Sequence, residues 1–258
     1  MERILELVLA LIQGLTEPLP ISSSGHLVLA KNWFGITQPG LSFEAFVNLG
    51  SLLGVLFYYQ TFIVTLFQSA LKELRQPQKP HIHYIVQIGL ATVPALIAGL
   101  VFAEVVEAYA TPRIVGFMLL ITGVLLFILH RRPLTTRLDI TYSDAALIGG
   151  AQAVAIIPGL SRSGLTTIMG LFRGLEFSST LRFSLMMYIP ISIAAGAWSV
   201  LSNSSSLVFT GWEVVYLLTA ASGTYIMIGS FIRIVEAKKL HWLAVYCFIV
   251  GTAAIVLI

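Results

Sequence analysis

Apolar residues run along this chain in stretches of about twenty, separated by short polar or basic segments, from one end to the other. Six stretches predict plain spanning helices: Phe43–Leu66, Tyr84–Ala108, Arg113–Leu129, Thr180–Leu201, Gly211–Ile234 and His241–Ile258. Two more are apolar but broken. The first runs from about Ile4 to Phe34 and contains Pro18, Pro20 and the run Ser22-Ser23-Ser24-Gly25. The second runs from about Asp144 to Gly174 and contains Pro158-Gly159 and Ser161-Arg162-Ser163-Gly164. A helix does not pass undisturbed through such sequences. Non-helical backbone at membrane depth is tolerated only where protein or a water-filled cavity surrounds it. Each broken stretch therefore reads as two half-helices meeting at a loop, a re-entrant hairpin.

The basic residues orient these elements. Lys72, Arg75 and Lys79 follow the first full span, Arg131, Arg132 and Arg137 follow the third, and Lys238 and Lys239 precede the last. The alternate loops, around Tyr109–Pro112 and Ser202–Thr210, carry no Lys or Arg. The positive-inside rule makes the first set cytoplasmic. The first broken stretch then enters from outside and the second from the cytoplasm, each followed by three spans. Two halves of opposite orientation result, roughly residues 1–135 and 140–258 of a single membrane domain. Laid over one another, they pair Gln13 with Gln152, Ser22 with Ser161, Ser24 with Ser163, Gly25 with Gly164 and Phe43 with Phe183. The predicted fold is an all-α polytopic inverted repeat: six transmembrane helices plus two hairpins whose interrupted helices meet near mid-membrane.

Composition agrees. Of 258 residues 57% are hydrophobic and 10% charged, against about 25% charged in soluble domains, so no separate soluble domain is expected. Met1-Glu2-Arg3-Ile4 does not read as the start of a cleaved signal peptide. The single Cys247 excludes an internal disulfide and reads as a small apolar residue. The net charge of +3 resides mainly in short loops, which is a topology signal and not a nucleic-acid surface. No Walker A, Rossmann, zinc-finger or EF-hand pattern is present.

The chemistry gathers in the two broken stretches. In Gln13-Gly-Leu-Thr-Glu17-Pro-Leu-Pro-Ile-Ser22-Ser23-Ser24-Gly25-His26, Gln13 and Glu17 share a helix face one turn apart. An ionisable side chain at this depth costs about 2.5–3.5 kcal/mol on insertion scales, so Glu17 and His26 need a partner or a purpose. The plainer reading is a polar patch that joins helices, with serines capping a half-helix. In Pro158-Gly159-Leu160-Ser161-Arg162-Ser163-Gly164-Leu165-Thr166, an arginine among small residues opens a new helix. Small residues let backbone N–H groups approach an anion, and the planar guanidinium grips two oxygens. The alternative there is a structural ion pair with Glu17. Glu44 and Asn48 are weaker candidates for lining a cavity. Arg173 and Arg182 read as snorkelling, His81 and His83 as solvated, and His130 and His241 as interfacial.

Both motifs, Q-G-L-T-E-P-L-P-I-S-S-S-G-H-L and P-G-L-S-R-S-G-L-T, resemble the two signatures of the bacterial undecaprenyl-pyrophosphate phosphatase family, also known as bacitracin-resistance proteins. The runs at Phe43–Gly50 and Phe183–Pro190 are similar too, so the resemblance covers essentially the whole chain. Pro18 departs from the aromatic usual in the family, Gln13 replaces a glutamate found in many members, and Glu176-Phe177 interrupts a stretch that commonly carries an arginine. The resemblance implies hydrolysis of a C55 polyprenyl pyrophosphate to its monophosphate at the outer face of the plasma membrane, recycling the carrier of cell-wall synthesis. It also implies stimulation by a divalent cation, Mg2+ or Ca2+, with Glu17 as the candidate ligand and no organic cofactor.

On that reading Ser23 is the candidate nucleophile, activated by Glu17 or His26, and Arg162 with the N–H groups of both S-x-S-G turns receives the pyrophosphate. Gln13, Ser22, Ser24, Gly25, Ser161, Ser163, Gly164 and Thr166 complete the expected binding set. Direct attack by His26, or by water on a cation held partly by Glu17, stays open. The expected partners are the polyprenyl lipid and the surrounding membrane, without nucleic acid, and a homodimer is compatible with the chain. The rival from another class is an anion or lipid-phosphate transporter built on the same inverted repeat. Such a carrier needs charge complementarity, whereas a hydrolase also needs a nucleophile and a base side by side.

Overall fold

The broken stretches become two pairs of half-helices. In a computed structural model describing residues 2–36, 41–131, 136–202 and 211–257, α1 (Glu2–Thr16) is followed by α2 (Ser23–Trp33), and α7 (Tyr142–Val154) by α8 (Arg162–Phe172). Both second half-helices start on a serine N-cap. The Ser22 Oγ accepts from the Gly25 N–H at 3.3 Å, and the Ser161 Oγ from the Gly164 N–H at 3.1 Å. A capping box, Thr141 with Asp144, starts α7.

The remaining helices are α3 (Leu41–Tyr58), α4 (Gln60–Glu73), α5 (Pro80–Ala108), α6 (Pro112–His130), α9 (Phe177–Ser202), α10 (Trp212–Glu236) and α11 (Leu240–Leu257). Five of them, α5, α6, α9, α10 and α11, are long and apolar enough to cross a membrane, and α3 with α4 makes a sixth if that bent pair is one span. The expected span Phe43–Leu66 is therefore corrected: the chain bends by 70° between Tyr58 and Gln60. No proline or glycine lies at the bend, and aromatic rings pack around it. The Tyr58 ring meets Tyr59 at 4.9 Å and Tyr225 at 5.5 Å, while Phe62 meets Tyr84 at 5.9 Å. Of the loop expected around Ser202–Thr210, residues 203–210 lie outside the described residues, as does Arg132.

Helix α1 packs along α10, α7 along α5, α3 against α9 and α10, and α6 along α11. Gly14 permits the first contact: a Cβ there would meet the Ala220 carbonyl oxygen at 2.4 Å. Leu119, Leu126, Leu181, Leu185, Tyr188 and Phe231 belong to the main core. Outward-facing Leu100, Phe102, Leu201 and Val256 are exposed, an arrangement stable in lipid and a liability in water. The chain is a multi-pass, all-helical membrane protein.

Candidate active site at the meeting of two half-helices

The two loops interlock. The Ser22 Oγ accepts from the Gly159 N–H at 3.0 Å, and the Ser163 Oγ donates to the Leu19 carbonyl at 2.9 Å. Gly159 has φ +95°, and a Cβ would meet Met118 Cβ and the Val115 carbonyl oxygen at 2.6 Å, so only glycine fits this approach. Ser22 holds φ 68°, a strained value for a residue with a side chain, kept in place by its bonds to both loops.

A cavity of about 250 Å³ opens where the loops meet. Its polar wall is Gln13, Glu17, Ser22, Ser23 and Ser24 from one half and Ser161, Arg162 and Ser163 from the other, with Glu44 and Asn48 from α3 and Tyr188 and Ser192 from α9. Glu17 is the hub. One carboxylate oxygen accepts from Ser23 Oγ and, at 2.9 Å, from Gln13 Nε2, and the other takes Arg162 Nη2 in an ion pair. The plainer expectation of an Arg162–Glu17 pair is thus present, but it does not use the guanidinium up. Arg162 Nη1 is buried and has no hydrogen-bond partner among the described residues. A purely structural pair at this depth would have its donors satisfied.

Both half-helix N-termini face this cavity. Serine caps occupy the N–H groups of Gly25 and Gly164, so the open first-turn positions are the N–H groups of Ser23, Ser24, Arg162 and Ser163. The glycines expected to bind pyrophosphate thus serve the caps. Thr166 is turned away, its hydroxyl donating to the Arg162 carbonyl at 2.8 Å and pairing with Ser184 Oγ at 2.6 Å. His26 also leaves the cavity wall. Its Nδ1 pairs with the Ser22 carbonyl at 2.7 Å, its Nε2 with Tyr246 Oη at 2.8 Å, and its ring stacks on Tyr246. Of the four expected catalytic residues the structure brings together Glu17, Ser23 and Arg162.

Residues 6–253 match the family described as bacitracin resistance protein BacA. The chain belongs to the BacA family. Among curated relatives, undecaprenyl-diphosphatase 1 of Bacillus cereus is 37% identical, over 97% of this chain and 96% of its own. The undecaprenyl-diphosphatase of Oceanobacillus iheyensis is 36% identical over 96% and 94%. Undecaprenyl-diphosphatase 1 of Bacillus licheniformis is 34% identical over 97% and 96%.

For a divalent cation this BacA-family chain offers oxygen donors: Glu17, the Gln13 amide, the serine hydroxyls and Asn48. Among the described residues no three His, Cys, Asp or Glu side chains converge. The donor set fits an ion that keeps waters and shares substrate oxygens, as Mg2+ does, and not a cage built wholly of protein.

Residues away from the cavity are engaged as well. Arg173 does not snorkel freely: its Nε donates to Asp144 at 2.8 Å, beside Arg137 Nη1 at 2.7 Å. His81 is held by Glu73, and His83 pairs with Tyr142. The His130 and His241 rings meet at a tilt, 4.7 Å apart, and the Arg182 guanidinium lies over Phe62. Sequence reasoning missed Tyr188 and Ser192. The signal was the pair Tyr188 and Ser192, one helical turn apart on α9, which line the cavity together with Glu44 and Asn48 of α3.

Proposed function

We propose that this chain is an undecaprenyl-diphosphatase that converts polyprenyl pyrophosphate to the monophosphate, recycling the lipid carrier of cell-wall synthesis and thereby conferring bacitracin resistance. The observation that carries the mechanism is a serine hydroxyl hydrogen-bonded to a buried carboxylate, beside an arginine with an uncommitted nitrogen. An anion carrier needs the arginine alone, whereas a nucleophile and its base side by side are the parts of a hydrolase.

The polyprenyl tail stays in the hydrocarbon and the pyrophosphate enters the cavity. Arg162 and the first-turn N–H groups of α2 and α8 face the phosphoryl oxygens, where transition-state charge accumulates. Ser23 Oγ attacks the terminal phosphorus and gives its proton to Glu17. The bond from that phosphorus to the bridging oxygen breaks, and its electron pair leaves with the polyprenyl monophosphate. Water then cleaves the phosphoserine, returning the serine hydroxyl and releasing inorganic phosphate. A divalent cation, bound through Glu17 and neighbouring oxygens, would neutralise charge on the substrate phosphates.

The architecture is an inverted repeat of six spans and two re-entrant hairpins, with the bent α3–α4 pair as one span. Matched serine caps on α2 and α8, and the corresponding packing of α1 on α10 and α7 on α5, support it. Basic loops read as cytoplasmic support a cavity that opens to the outer side of the plasma membrane.

The test is phosphate release from undecaprenyl pyrophosphate by detergent-purified protein, with Mg2+, Ca2+ or chelator, alongside Ser23→Ala. Release by the wild type and loss in a folded Ser23→Ala protein is expected. Full activity without the hydroxyl would overturn Ser23 as nucleophile and favour attack by water, and a silent wild type would favour the transporter.

A further inference from the structure

We propose that Tyr188 is a positioning residue that fixes the plane of Arg162 toward the pyrophosphate, a role that rests on the phosphatase reading above. The Arg162 guanidinium carbon lies 4.1 Å from the centre of the Tyr188 ring. That ring is 2% exposed, so the contact is desolvated, where a cation over an aromatic face is held most strongly. The ring is itself anchored: its single O–H proton is shared between Asn48 Oδ1 at 2.7 Å and the Asn48 carbonyl at 2.9 Å, tying α9 to α3.

A guanidinium is a planar fork, so its use depends on its orientation as much as on its charge. Glu17 takes Nη2 and Tyr188 covers one face. Held by one edge and one face, the group has a fixed plane, with Nη1 left over for a ligand. Without the aromatic face the side chain would still pair with Glu17 but would swing about that contact, and the ordering of Nη1 would have to be supplied by the substrate. The consequence falls on the chemical step, where alignment with the transferring phosphoryl group matters.

Plain core packing would treat Tyr188 as volume, whereas a platform for a cation needs an aromatic ring, and three variants separate the two. Tyr188→Phe keeps the ring and loses the anchor on Asn48. Tyr188→Met and Tyr188→Leu keep apolar volume and lose the ring; two are used so that one well-folded protein decides the point. Steady-state phosphate release from undecaprenyl pyrophosphate is measured for each, with melting temperature as the check on folding. We expect kcat to fall about threefold in Tyr188→Phe and about 10- to 30-fold in the aliphatic variants, with a smaller change in KM. An aliphatic variant that folds and turns over at the wild-type rate would overturn the proposal. So would a loss in Tyr188→Phe as large as that in Tyr188→Met. A silent wild-type enzyme would instead overturn the phosphatase reading on which the role rests.

Discussion

Replacing Glu17 by Gln keeps the shape of the side chain and removes its charge, and the structure shows what that does. Three donors converge on the two carboxylate oxygens: Ser23 Oγ and Gln13 Nε2 on one, Arg162 Nη2 on the other. A glutamine has one oxygen. If that oxygen faces Arg162, its NH2 group faces Ser23 and leaves the hydroxyl without a proton acceptor. If it faces Ser23, Arg162 meets a donor. Either orientation removes the base, and loss of a general base lowers the rate about 10²- to 10⁴-fold, equivalent to about 3–5 kcal/mol in the barrier. Stability should fall less. Stripping one partner from a buried ion pair costs about 3–5 kcal/mol, but the amide oxygen still satisfies one donor and Tyr188 still covers Arg162, so about 1–3 kcal/mol is expected. The assay is phosphate release from undecaprenyl pyrophosphate in detergent, with thermal denaturation of the same preparation. A folded Glu17→Gln protein that keeps more than about a tenth of wild-type kcat would refute the assignment of Glu17 as base.

Two further perturbations test the frame around the site. Gly159→Ala places a Cβ against Met118 and Val115 at a backbone angle open to glycine, and strain plus overpacking should cost about 2–5 kcal/mol, read as a lowered melting temperature; an unchanged melt would contradict the interlocked loops. Asp144 is fully buried where the second half begins, and although burial pushes its carboxyl up, hydrogen bonds from Arg137, Thr141 and Arg173 hold it well below the usual carboxylate range. Its contribution to stability is therefore complete above about pH 4 and is lost only as pH falls toward the depressed value. Asp144→Asn should cost about 1–3 kcal/mol at pH 7, less than a fully buried pair because both arginines are more than a third exposed. The gap to wild type should close only in strong acid, and a gap that closes between pH 7 and pH 5 would contradict the clasp.

The apolar stretches and the two broken segments were legible because the bilayer allows little else: long helices, or interruptions buried in protein. Glu17, Ser23 and Arg162 were legible because ionisable and small polar residues at that depth are costly without a task. The bend between Tyr58 and Gln60 was not, since no breaker residue announces it and the Tyr225 ring packed against Tyr58 lies far along the chain. His26 illustrates another limit. Proximity to Ser23 in sequence suggested a shared task, but Tyr246, far along the chain, takes its ring. Gly25 and Gly164 looked like phosphate ligands, yet their N–H groups serve the serine caps, a competition within the same four residues that residue types do not decide. Tyr188 was hidden for the opposite reason: an aromatic in an apolar span is ordinary until its ring is seen beneath a guanidinium.

The central claim is that the cavity between the interlocked loops is where a lipid pyrophosphate is cleaved, with Arg162 gripping it. The most direct measurement compares inorganic phosphate released from undecaprenyl pyrophosphate by wild-type and Arg162→Ala proteins, both shown to be folded in detergent. The account predicts steady release by the wild type and none above background by the variant. Arg162→Ala protein that hydrolyses the lipid at the wild-type rate would contradict it.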